Sequence, residues 1–113
     1  AGGYHHHLGL NTWESRGGSP PSPRSTGLYH VAILYPDRAT LADALRRVMA
    51  AGIPLEGASD HGVSEAIYLR DPDGNGVELY RDRPMAEWPR DEQGELAMTL
   101  DPFDLQALLA EAP

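Results

Sequence analysis

The chain has 113 residues, 17 Asp and Glu against 9 Lys and Arg for a formal net charge of −8, and no cysteine. That length carries one modest core and one domain at most. The acidic balance excludes the basic face that a nucleic acid backbone needs, and without thiols there is no disulfide framework, so any metal must be held by His, Asp or Glu.

No apolar run approaches the roughly 18 residues that cross a bilayer, and no basic-then-apolar leader opens the sequence, so a soluble, cytoplasmic protein with no membrane partner is expected. Residues 4–13, YHHHLGLNTW, read as a strand with three consecutive histidines at its start. A purification-tag remnant is the bland reading of the triplet, but tags do not merge into an apolar, strand-like run. Residues 14–27 are a Gly/Ser/Pro-rich connection that neither helix nor central strand accommodates. The chain starts without Met at the entrance to a strand, which suggests the C-terminal part of a longer protein.

Residues 28–34, LYHVAIL, form a second strand closed by Pro36. Its alternation puts His30, Ala32 and Leu34 on one face, and since both faces are apolar His30 is expected to be buried. Asp37 is placed to cap a helix whose stripe is Leu41, Leu45, Val48 and Met49 and whose terminator is Gly52. An extended piece near residues 54–58 precedes two strands, residues 64–70 and 77–81, joined by the turn-rich DPDGNG and therefore antiparallel. Residues 95–100 read as a short strand and residues 103–110 as a short amphipathic helix.

A lone histidine in a sheet is most simply a core residue bonded to a carbonyl. Glu78 changes that weighting, because it faces away from Val77 and Leu79 on a strand with apolar neighbours, and a carboxylate there needs a cation, a donor or a proton. A buried His and a buried Glu in one sheet suit a divalent metal. His61, in a loop, and Tyr68, on the next strand, lie close enough in sequence to share a pocket, although each alone reads as an ordinary loop polar residue and a sheet aromatic.

YHVAIL and DHGVSEAIYLRDPDGNGVELY together resemble the vicinal oxygen chelate superfamily, in its catechol-2,3-dioxygenase-like extradiol branch. The resemblance covers residues 4–88. It implies an α+β fold, a βαβββ module over residues 28–83, preceded by the last strand of another module (1–13) and a linker (14–27) and followed by a C-terminal extension (84–113). It implies Fe(II), alternatively Mn(II), held by His30 and Glu78. His61 and Tyr68 are implied to donate hydrogen bonds to charge developing on oxygen, and His6 to move protons, in ring cleavage of a catechol by dioxygen.

Two departures stand out. An acidic residue usual after the acid-base His is replaced by His7, so His5 or His7 could face the site instead. The second metal-binding His of the family belongs to a strand this chain lacks, which implies a companion chain, a second copy or an upstream segment. The rival readings are a glyoxalase-like isomerase or lyase, which generally has a carboxylate where His6 falls, and a metal-free antibiotic-binding protein.

Overall fold

The computed structural model describes residues 2–113. Its elements in chain order are β1 (Val31–Leu34), α1 (Arg38–Ala50), β2 (Leu55–Asp60), β3 (Ser64–Arg70), β4 (Gly76–Asp82), β5 (Asp101–Pro102) and α2 (Leu105–Leu109). One five-stranded sheet runs β1-β4-β3-β2-β5. β1 pairs with β4 in parallel, and the other neighbours are antiparallel. The first four strands and α1 are the expected βαβββ arrangement in an α+β fold, with β4 returning to lie beside β1.

Local chemistry sets the helix limits. The Asp37 carboxylate accepts the Thr40 N–H at 2.8 Å, and the Thr40 hydroxyl closes the capping box. At the other end Gly52 takes φ 68°, its N–H reaches Met49 and the Ile53 N–H reaches Val48, a full Schellman closure. The buried stripe is Leu41, Ala44 and Leu45 with Val48 packed beside it, and it meets Ile67, Leu69 and Leu79 of the sheet and Leu108 of α2. Met49, expected on this stripe, is 49% exposed, while Ala42 is buried in its place.

One ion cluster ties the helical layer to the sheet. Glu65, 4% exposed, accepts from Arg38 Nε at 3.0 Å, Arg81 Nε at 2.7 Å and Arg83 Nη2 at 3.0 Å. Arg83 also forks onto Asp60, and Arg38 reaches Glu111. Loop residue Asp71 accepts the N–H groups of Asp73 and Asn75, which shapes the β3–β4 turn as its composition anticipated.

Three expectations are corrected. Residues 4–13 form no strand: they are exposed, because a strand is completed only by a neighbour that accepts and donates along its length. β1 begins at Val31, not residue 28, and as an edge strand it leaves Ala32, Ile33 and Leu34 exposed, so His30 is half-buried rather than sequestered. Residues 95–100 form no strand, although they make an Arg90–Leu96 bridge and a Thr99 N–H bond to the His61 carbonyl, and the strand pairing falls at β5, against Ser59 and Asp60. Among the described residues no helix is long and apolar enough to cross a membrane.

Candidate functional site

The sheet has a helix-covered face and a second face that carries the site. Register places Ala32, Glu78, Tyr68 and Gly57 in one cross-strand row on this second face. His30, one residue before β1, falls opposite Gly76 in the adjoining row. A Cβ at Gly76 would sit 2.4 Å from the Tyr29 carbonyl oxygen and 3.0 Å from the His30 Cβ, so only glycine lets the His30 segment lie this close to β4.

That close approach brings His30 Nε2 to 2.8 Å from Glu78 Oε2. The other carboxylate oxygen, Oε1, is 3.4 Å from the Tyr68 hydroxyl. The same hydroxyl is 3.0 Å from His61 Nε2, and His61 Nδ1 is 3.2 Å from the Thr99 carbonyl oxygen. Four of the five residues singled out in the sequence thus form one row of hydrogen bonds, His30–Glu78–Tyr68–His61, across β4, β3 and the segments that precede β1 and β3. Burial, reinforced by the charge and hydrogen bond of Glu78, pushes the Tyr68 phenol above its ordinary value, so it stays a protonated donor through the neutral range.

A cavity of about 220 Å³ lies beside the pair, with His30, Tyr68, Glu56, Arg70, Gly57 and Gly76 in its lining. Arg70 Nε donates to Glu56 Oε1 at 2.8 Å, which sets a charged pair at one side of the cavity. The cavity, the Arg70–Glu56 pair, the Gly76 contact and the Thr99 carbonyl were all missed in the sequence. Turn density around DPDGNG flagged Gly76 only as a loop residue, and a main-chain carbonyl leaves no mark on side-chain identity.

His30 and Glu78 fit a divalent ion. Two adjacent ligands at about 2.1 Å from one ion and roughly a right angle apart lie about 3.0 Å from each other, close to the 2.8 Å seen here. The residues therefore need little movement to share an ion, and the imidazole and carboxylate donor set suits iron, manganese or zinc. Among the described residues no group of three or more His, Asp or Glu could hold one.

His6 is not brought to this row. It lies in the exposed N-terminal segment, with its ring 4.1 Å from that of His5 and 5.5 Å from that of Tyr4, centroid to centroid. His5 and His7 occupy the same exposed segment.

Residues 1–79 match the Glyoxalase/Bleomycin resistance protein/Dioxygenase superfamily. The chain is 53% identical over 92 residues to a catechol-2,3-dioxygenase of Bacillus subtilis (strain 168), covering 81% of this chain and 32% of that protein. It is 38% identical over 80 residues to biphenyl-2,3-diol 1,2-dioxygenase 3 of Rhodococcus globerulus, covering 69% and 41% respectively. Biphenyl-2,3-diol 1,2-dioxygenase 2 of the same organism is 35% identical over 63 residues, covering 56% and 33%. The chain spans about a third to two fifths of the length of these relatives. With its βαβββ module and its match over residues 1–79, the chain belongs to the Glyoxalase/Bleomycin resistance protein/Dioxygenase superfamily.

Proposed function

We propose that this chain carries the metal-holding and substrate-orienting half of a non-haem Fe(II) extradiol dioxygenase that opens catechol-type rings with dioxygen. The observation that carries the reading is the continuous row His30–Glu78–Tyr68–His61 on one sheet face. The names of the relatives, a catechol-2,3-dioxygenase and two biphenyl-2,3-diol dioxygenases, support the substrate class.

His30 and Glu78 would hold the ion, Fe(II) or alternatively Mn(II). When bound, that ion would supply Lewis acidity toward the oxygens of the reactants. Every other step falls to the chain. His30 Nε2, now 2.8 Å from Glu78 Oε2, would turn its lone pair from that contact to the ion. Tyr68, kept protonated by burial and by Glu78, would turn its hydroxyl proton from the protein acceptor it now meets toward a substrate oxygen that gains charge. His61 orients Tyr68 from behind. His6 would accept and return a substrate proton once residues 4–13 are seated as a strand on a second sheet. That sheet would come from another copy, a companion chain or an upstream segment, which also supplies the third ligand. The reading places the protein in the cytoplasm, in the breakdown of aromatic compounds.

The test is oxygen consumption and ring-opened semialdehyde formation from catechol by the Fe(II)-loaded chain, alone and with a preparation of the missing module. His30→Ala and Glu78→Ala should each abolish turnover and Mn(II)-induced broadening of neighbouring resonances. Turnover that survives both substitutions would refute the assignment. Sedimentation should show a self-associated or mixed species under the active condition, and activity in a pure monomer would refute the need for a second half.

A further inference from the structure

The neighbours of His61 fix the state of its ring. A carbonyl oxygen only accepts, so the 3.2 Å contact between Nδ1 and the Thr99 carbonyl requires the ring proton to sit on Nδ1. A neutral imidazole carries one such proton, and Nε2 is then a bare acceptor. Tyr68, 3.0 Å from Nε2, has a single hydroxyl proton and a second acceptor, Glu78 Oε1, at 3.4 Å. The shorter contact takes the larger share of it, and the longer one to Glu78 is the weaker alternative.

Thr99 is itself held against the His61 loop from several sides. Its N–H donates to the His61 carbonyl at 3.0 Å, and the Ala97 N–H donates to Pro89 at 2.9 Å. β5 follows directly, paired with Ser59 and Asp60. Gly62, at φ 75°, abuts this segment so closely that a Cβ would lie 2.6 Å from the Pro89 Cγ and 3.2 Å from the Thr99 hydroxyl. The family match ends at residue 79, so the whole segment lies beyond it.

We propose that residues 89–102 form a strap whose Thr99 peptide sets His61 in the Nδ1–H tautomer and thereby makes Nε2 a hydrogen-bond acceptor for the Tyr68 hydroxyl. Thr99 is a positioning residue, acting through its main chain. The donor role expected of His61 from sequence is then reversed for the neutral ring, which accepts a proton and cannot give one from Nε2. Only this consequence for a substrate oxygen rests on the ring-cleavage reading; the tautomer itself does not.

The test is a two-bond proton–nitrogen correlation spectrum of the full chain, labelled with nitrogen-15 histidine, at about pH 8, above the ordinary histidine range. His61→Gln assigns the His61 signals. The expected result is a protonated-type Nδ1 and a bare-type Nε2, with that tautomer in about tenfold excess, as one intact buried hydrogen bond gives. Gly62→Ala, which drives a methyl against Pro89, should collapse the excess to a mixture while the His30 signals stay in place. Thr99→Val keeps the peptide and should keep the tautomer. An Nε2–H ring, an even mixture or a doubly protonated ring in the unmodified protein would overturn the proposal. That spectrum decides even if Gly62→Ala fails to fold, and loss of catechol turnover would not alter it.

Discussion

The Gly76→Ala variant tests how the two halves of the proposed ion site are held together. The added methyl would lie 2.4 Å from the Tyr29 carbonyl oxygen and 3.0 Å from the His30 Cβ. Carbon–oxygen contacts settle at about 3.3–3.6 Å, so the segment before β1 must retreat by about 1 Å. Such a retreat carries His30 Nε2 from 2.8 Å to roughly 3.8 Å from Glu78, beyond hydrogen-bond reach. Overpacking of this kind costs about 1–3 kcal/mol, and at roughly 4 °C per kcal/mol for a chain of this size the melting temperature should fall by roughly 4–12 °C. Gly57→Ala is the control: it lies on the same face, its Cβ meets nothing within 4 Å, and its φ is not positive. It should shift melting by no more than about 2 °C, the effect of an open-site substitution. Calorimetry reads the stability, and Mn(II)-induced broadening of the His30 ring signals reads the pair. If Gly76→Ala melts within about 2 °C of the unmodified chain and broadens identically, close β1–β4 approach is not what positions His30.

Glu65→Ala should destabilise by about 3–5 kcal/mol in urea unfolding, because it strips a buried carboxylate from three guanidinium groups; a loss under about 1 kcal/mol would reject the cluster as the tie between layers. The Arg83 hydrogen bond holds the Asp60 carboxyl below its ordinary 3.8, so its contribution to stability is complete above that pH and fades as the pH falls through the lower folded value. The stability gap between the unmodified chain and Asp60→Asn should therefore be constant near neutrality and close on acidification below about pH 4; a gap that widens there contradicts the sign. Tyr68 is shifted the other way, above 10.0, so its contribution is present below that pH and is lost as the pH rises through the folded value. Tyr68→Phe should remove the last-ionising phenol from the alkaline absorbance titration and with it that alkaline loss of stability. If all the phenols ionise together near pH 10, Tyr68 is not buried against Glu78.

The helix and the site face were readable because each depends on chemistry within a few residues. Asp37, Thr40 and Gly52 specify the ends of α1 through bonds confined to one turn, and strand alternation alone separates Glu78 from Val77 and Leu79. The DPDGNG turn fixes which strands are antiparallel neighbours, and once Tyr68 faces Glu78 across that hairpin the row follows. Burial was not readable for His30, since the position of β1 at a sheet edge is a property of strand order and not of LYHVAIL.

The same distinction explains residues 4–13. Their apolar run is compatible with a strand, but a strand's stability lies in the neighbour that satisfies its N–H and C=O groups, and alternation in one segment cannot name that neighbour. The Thr99 carbonyl is the opposite case: an acceptor supplied by main chain to the His61 ring, across 38 residues of sequence, at a position where almost any side chain would serve. Side-chain identity thus reveals which groups can do chemistry, while the tautomer that His61 adopts is set by backbone that sequence leaves anonymous. For His61 that backbone decides whether the ring gives a proton or takes one.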